Sequence, residues 1–221
     1  MVKAHKGGRL LLVRHAQTSW NLADRRLGRA DIPLDSDGQE QAQLLCQQLE
    51  GEFVDAIFSS PLVRARDTAA PTAHRRGLIV QIDPDLVEFD YGSFSGLTRR
   101  EAKLKLGRDY LHTPVLGGES LADAWVRACR FAARVKPALS AGSRFLVVGH
   151  QRINRLLVGA FEGRTLDEAA AAKDYKPSNG SVLELQVGAD QRVASRRVLE
   201  RPASDTRHRQ VSQPSFRRGP A

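Results

Sequence analysis

Cysteine, methionine and aromatic side chains are scarce in this 221-residue sequence, which holds two cysteines, one methionine and only 6% Phe, Trp and Tyr together. Two thiols cannot build a disulfide framework. Cys46 and Cys129 fall on apolar helical positions, which predicts buried free thiols and neither a bridge nor a metal clip. Long hydrophobic runs are missing as well. Leu10–Val13 and Phe145–Val148 are four residues each, where a membrane-spanning helix needs about 20, so no membrane partner is expected. Basic residues precede the first apolar stretch, but that stretch ends at Arg14-His15 with no small-residue cleavage site, which predicts a cytoplasmic protein. There is no internal repeat, no helix-turn-helix, no zinc-knuckle spacing and no interleaving of aromatic with basic residues, so nucleic acid is not an expected partner.

What is present suits one globular domain with a substantial core: apolar residues make up 41% of the chain and charged residues 27%. The net charge of +9 is uneven, because residues 192–221 carry eight arginines against Glu200 and Asp205, a local +6. This Pro/Ser/Arg-rich end has almost nothing apolar to bury. The expected division is an N-terminal extension at 1–8, a folded domain at 9–200 and a basic, disordered tail at 201–221. The sequence sets no oligomeric state.

The apolar run at 9–14 reads as a buried first strand. Ser36 reads as a helix start, with Ala42, Leu45, Cys46 and Leu49 at helical spacing and Gly51 as its C-terminal stop. Val54–Phe58 is a second strand, and Pro61 suits the first turn of a following helix. A third strand falls at Leu78–Ile82. Leu121, Trp125, Ala128, Ala132, Val135 and Leu139 form one apolar stripe on a long helix. Phe145–Val148 is a fourth strand leading into a helix with Ile153, Leu156 and Leu157, and Val182–Val187 with Val193–Leu199 closes the domain as a hairpin around Gly188-Ala189-Asp190. Strands alternating with helices predict an α/β fold, a single-domain three-layer sandwich with a mostly parallel sheet and helices on both faces.

Two histidines occupy matching places: His15 follows Leu-Leu-Leu-Val-Arg and His150 follows Phe-Leu-Val-Val-Gly. Both stand at strand ends, and the carboxyl ends of parallel strands share one edge, where such folds bind ligands. A third strand end, Phe58-Ser59-Ser60-Pro61, opens a helix carrying Arg64 one turn in. A guanidinium fork and a helix N-terminus both suit phosphate, and Arg14 adds a second guanidinium. Residue types and spacing leave two readings open here, an anion site or hydrogen-bonded structural histidines beside solvated arginines.

The sequence resembles the histidine phosphatase superfamily over roughly residues 9–199, in the branch that holds the phosphoglycerate mutases. The resemblance is carried by six ordered stretches: Leu12-Val13-Arg14-His15-Ala16-Gln17-Thr18-Ser19-Trp20-Asn21; Gly28 to Leu34 with Gly38; Ser59 to Ala69 around Arg64; Glu88-Phe89-Asp90-Tyr91-Gly92 with Gly96; Gly118-Glu119-Ser120; and Val148-Gly149-His150. It implies a histidine phosphatase domain at 9–200, with His15 as the nucleophile, Arg14, Arg64 and His150 on the phosphate oxygens, and Asn21 as a further polar contact. It also implies Glu88 as the proton donor, since the position after the second histidine, where another branch keeps an Asp donor, is Gln151. One departure is Ala16, where the family has Gly, which would put a methyl group at the pocket floor.

The implied activity is a phosphatase hydrolysing phosphomonoesters through a phosphohistidine, acting on a small phosphorylated substrate with no cofactor and no metal. Neighbouring cations keep an imidazole unprotonated and stabilise the transition-state charge, while Glu88 must carry a proton to release an alcohol, which a bound phosphate dianion favours. A mutase shares this pocket, but only 61 residues separate Glu88 from His150, shorter than the mutase segment that closes over an acceptor, which favours the phosphatase. An inactive scaffold of the same fold would have lost His15, Arg64, His150 or Glu88. Specificity is expected in loops 22–34 and 92–118, through Arg29, Arg99, Arg100 and Lys103, and Asp90 and Glu101 are acids that spacing alone does not separate from Glu88.

Overall fold

The computed structural model describes residues 7–105 and 110–199. The expected tail at 201–221 and most of the N-terminal extension lie outside the described residues. In chain order the elements are β1 (Gly8–Arg14), α1 (Ser19–Leu22), α2 (Ser36–Gln48), β2 (Ala56–Ser59), α3 (Val63–Arg76), β3 (Val80–Ile82), α4 (Arg99–Lys105), α5 (Leu121–Ser140), β4 (Arg144–Gly149), α6 (Gln151–Glu162), α7 (Leu166–Ala171), β5 (Val182–Val187) and β6 (Val193–Leu199). No helix among the described residues is long and apolar enough to cross a membrane.

The six strands form one sheet in the order β3-β2-β4-β1-β5-β6. Four neighbours are parallel, while β5 runs antiparallel to β1 and β6 antiparallel to β5, as the hairpin reading required. Alternation along β1 divides the core: Leu10 and Leu12 face a cluster built on α5, α6 and α7, and Leu11 and Val13 face a second cluster built on α2 and α3. Both faces of the central strands are therefore covered, which explains their near-continuous apolar runs.

Several boundaries differ from the sequence reading for local reasons. Pro61 lies before α3 and not in its first turn: Leu62 is the capping residue, and the Asp31 carboxylate accepts the free Val63 N–H at 2.7 Å. Arg64 is therefore the second residue of α3. Asp35, whose side chain accepts from the Gly38 N–H, caps α2, and that helix ends at Gln48, so Gly51 stands beyond its cap Leu49. The short helices α1, α4 and α7 lack an apolar stripe long enough to read from sequence.

The parallel pairing of β1 with β4 positions the site. Their register sets Arg14 beside Gly149, and the His15 N–H donates to the Gly149 carbonyl at 2.9 Å. On the other side of β4 the Ser60 N–H donates to the Val148 carbonyl at 3.0 Å. Three adjacent strands thus release His15, His150 and Ser60 at one edge. Gly149 is required there, because a Cβ would sit 2.3 Å from Asn154 Oδ1, and Asn154 is pinned by donating to the Val13 carbonyl at 2.9 Å. Gly149→Ala should lose about 1–3 kcal/mol in urea unfolding, the usual cost of overpacking. Gly51→Ala, with open space around it, should stay within about 0.5 kcal/mol. Equal midpoints for the two variants would contradict this account of the β4 terminus.

Candidate active site

His15 and His150 are both buried, their ring centroids 5.1 Å apart and tilted by 57°. His15 Nδ1 lies 2.7 Å from the Ala16 carbonyl oxygen. A carbonyl only accepts, so Nδ1 carries the proton and Nε2 keeps its lone pair. Burial, reinforced by the Arg64 and Arg14 guanidiniums, holds the His15 pKa well below the usual histidine range. His150 is depressed for the same reasons, burial first and then Arg64. Its Nδ1 accepts from Arg64 Nε at 3.3 Å and its Nε2 faces Ser60 Oγ at 2.7 Å.

Arg64 is fully buried, and its guanidinium also donates to the carbonyls of Ala30 at 2.7 Å and Gly28 at 2.8 Å. Arg14 donates to the Pro177 carbonyl at 3.0 Å, while its buried Nε has no hydrogen-bond partner. Burial pushes both arginines down to about 10, which leaves them charged at neutral pH. Asn21 sits in α1, where its Oδ1 accepts from the Thr18 N–H, the Thr18 hydroxyl and Asn179 Nδ2. Its remaining polar group is the amide NH₂, a donor. Glu88 is buried with its carboxylate against the start of α6, accepting N–H groups from Phe89, Arg152 and Ile153 at 2.9–3.1 Å. Oε2 accepts only one of these, which leaves acceptor capacity open on it.

Arg14, His15, Asn21, Arg64 and Glu88 line one cleft, together with Arg25, Arg26, Leu27, Gly28, Tyr91, Arg99 and Gln151. His150, which accepts from Arg64 Nε, is not among the residues that line the cleft. The rival acids are engaged elsewhere: Asp90 accepts the Gly92 N–H and pairs with Arg29, and Glu101 accepts from the N–H and hydroxyl of Thr98 at the start of α4. Arg29 is turned onto Glu119 and Asp90 and does not reach toward the cleft as the sequence reading supposed. Arg99 does line it, Arg100 is exposed and outside it, and the side chain of Lys103 lies outside the described residues. The Ala16 methyl packs with Leu34 and Ala42, away from the cleft.

Sequence reasoning assigned no role to Ser60 and Tyr91, although both lie in the stretches that carry the resemblance, and none to Arg26 and Asn179. Asn179 donates to the carbonyls of His15 and Ala16 at 3.0 and 3.2 Å, tying the catalytic-edge loop to the end of β5's approach. Arg26 lies over the Tyr91 ring, 5.1 Å from its centroid, and donates to its hydroxyl at 3.2 Å. Ser60 and Tyr91 stand within motifs and Arg26 within the 22–34 loop, whereas no sequence signal marks Asn179. Among the described residues no group of three or more His, Cys, Asp or Glu could hold a metal ion.

Parallel strands delivering two buried imidazoles and two buried guanidiniums to one edge define an enzyme of phosphoryl chemistry on an α/β scaffold. The chain belongs to the histidine phosphatase superfamily, whose branch 1 profile matches residues 10–199. It is 32% identical to a 2,3-bisphosphoglycerate-dependent phosphoglycerate mutase of Methylobacterium sp. (strain 4-46), covering 88% of this chain and 98% of that protein. It is 36% identical to phosphoserine phosphatase 1 of Hydrogenobacter thermophilus over 58% of this chain and 64% of that one. Among solved structures, a mycobacterial glucosyl-3-phosphoglycerate phosphatase superposes with a TM-score of 0.72 at 26% identity, covering 87% of this chain and 97% of that one. The alpha-ribazole phosphatase of Shigella flexneri gives 0.72 at 27% identity, covering 81% and 91%.

The depressed histidines make stability depend on pH. Below about 6.5 an unfolded chain takes up protons that folded His15 and His150 refuse, so stability falls as pH drops through that range, by up to about 1.4 kcal/mol per pH unit for each ring. Asp85, held below the ordinary carboxylate range first by its Arg130 bonds, adds acid sensitivity only below about pH 4. Urea unfolding should therefore show a clear loss between pH 7.5 and 5.5, roughly halved in His15→Asn. A flat profile would contradict two buried neutral imidazoles.

Proposed function

We propose that this enzyme hydrolyses phosphomonoesters through a covalent phosphate on His15. The observation that carries the reading is the Nδ1 hydrogen bond to the Ala16 carbonyl, which leaves Nε2 as the nucleophilic atom of a neutral ring on a cleft-lining residue. Nε2 attacks phosphorus, the N–P bond forms as the P–O bond to the alcohol breaks, and Glu88 gives its proton to the departing oxygen. Water then attacks phosphorus, Glu88 takes its proton, and the N–P bond breaks to release phosphate.

Arg14, Arg64, Asn21 and His150 hold the three non-bridging oxygens, where positioned donors act on the charge of the transition state. The Ser60 hydroxyl both donates and accepts, so His150 can move its proton to Nδ1 and donate to the phosphoryl group once Arg64 Nε turns to that group. Beyond the phosphate, Arg25, Arg26 and Arg99 line the same cleft, and the buried Arg26 Nε has no partner. A small phosphorylated substrate with a second acidic group suits this charge. Phosphoglycerate and phosphoserine, named for two relatives, are of that kind.

The mutase reading is kept because the mutase relatives match over nearly their whole length, so the short segment before His150 does not separate the activities. The phosphatase reading is supported by the solved phosphatase neighbours. An inactive scaffold is disfavoured by the presence of His15, Arg64, Glu88 and His150 at one edge. The test is a product assay with 3-phosphoglycerate, with and without 2,3-bisphosphoglycerate, beside a panel of phosphomonoesters. Phosphate release should exceed isomerisation under every condition. Isomerisation outrunning release would make the enzyme a mutase, and neither product would make it a scaffold.

A further inference from the structure

Glu119 lies outside the cleft, yet it is buried and each hydrogen bond its carboxylate makes leads to a segment that holds a reacting group. Its Oε1 accepts the Asp90 N–H at 2.8 Å and Arg127 at 3.1 Å, and its Oε2 accepts Arg127 at 2.6 Å and Arg29 at 3.1 Å. Arg127 continues to the Val87 carbonyl at 3.2 Å, and Arg29 Nε to the Glu88 carbonyl at 3.5 Å. The peptide from 87 to 90, which carries Glu88, is thus gripped on both sides of that residue.

The same carboxylate reaches the phosphate clamp. Arg29 sits between Gly28 and Ala30, whose carbonyls receive the Arg64 guanidinium. Fixing Arg29 on Glu119 fixes the two acceptors that orient Arg64. Close approach of the 115–119 loop makes this possible: a Cβ on Gly118 would lie 2.4 Å from the Asp90 carbonyl oxygen, and one on Gly92, which has φ +50°, would lie 2.3 Å from the Leu116 carbonyl oxygen. Neither position can carry a side chain, so the loop lies directly on the segment that follows Glu88.

We propose that Glu119 is a positioning residue that, through Arg127 and Arg29, sets the acid Glu88 and the phosphate-binding Arg64 in register with one another. The proposal rests on the phosphohistidine reading with Glu88 as acid. Arg127 is the arm to Glu88, and Arg29 is the arm to Arg64. A displacement of reacting groups by about 1 Å can cost ~10²-fold in rate, so the effect is large enough to measure without loss of the fold.

The experiment compares Glu119→Gln and Arg29→Met with the parent enzyme on an alkyl phosphate and on a nitrophenyl phosphate, whose leaving group needs little protonation. Inorganic phosphate serves as the competitive inhibitor, and circular dichroism and thermal unfolding check folding. Glu88→Gln supplies the reference: a loss of ~10²–10⁴ in kcat on the alkyl ester and a smaller one on the aryl ester. Glu119→Gln should reproduce the alkyl-selective loss at about 10- to 100-fold and shift the alkaline limb of the kcat/KM profile, where a proton donor is lost. Arg29→Met, at a half-exposed side chain, should weaken phosphate inhibition at least about tenfold, with a smaller alkyl-selective loss than Glu119→Gln.

If Glu88→Gln is alkyl-selective while folded Glu119→Gln keeps the parent ratio, or Arg29→Met keeps the parent inhibition constant, the positioning role is overturned and the mechanism stands. If Glu88→Gln shows no selectivity, the acid assignment itself is wrong and the proposal falls with it. Should Glu119→Gln not fold, the Arg29→Met inhibition constant decides.

Discussion

Two imidazoles and two guanidiniums are buried together at one sheet edge, at the ends of β1 and β4 and the start of α3, and the fold has to keep the rings neutral while the arginines stay charged. Coulombic repulsion and desolvation do the first: a proton on His15 would sit beside Arg64 and Arg14 with little water to screen it. Hydrogen bonds do the second. Arg64 spends its donors on Gly28, Ala30 and His150, and Arg14 on Pro177, which offsets part of the cost of removing a guanidinium from water. What remains is a site with surplus positive charge, suited to a dianion.

That arrangement depends on backbone pairing more than on any one side chain. Because β1 and β4 are parallel neighbours in register, two residues 135 positions apart in sequence, His15 and His150, leave the sheet side by side. Ser60 follows from β2 on the other flank of β4. The loops then finish the pocket, with Asn179 binding the carbonyls of His15 and Ala16, and the start of α6 presenting two amides to Glu88. The same short stretch, Gly149 to Ile153, thus serves the strand terminus, the second histidine and the acid.

The repeated placement of the two histidines after four apolar residues was legible, because a buried strand writes itself as a hydrophobic run. The long helix α5 was legible from its stripe for a similar reason. Which acid faces the site was indicated by the resemblance alone, since spacing did not separate Glu88 from Asp90 and Glu101. Thr98-x-x-Glu101 is a capping pattern that would have removed Glu101 from the candidates, and Thr165-x-x-Glu168 would have announced α7 in the same way. Arg29 was misjudged because an arginine in a specificity loop looks free until its carboxylate partner, 90 residues onward, is placed against it. Pro61 misled because the first N–H of α3, that of Val63, is capped by Asp31 from another loop, a contact no local rule contains.

The central claim is that the ring of His15 attacks through Nε2 because Nδ1 is committed to a carbonyl. The enzyme is exposed briefly to ³²P-labelled phosphomonoester, quenched in alkali and digested, and the position of acid-labile phosphate is determined on the His15 peptide by chromatography against the two phosphohistidine isomers. The account predicts label on Nε2 of His15 and none in His15→Ala. Label on Nδ1, or label that persists in the variant, would contradict it.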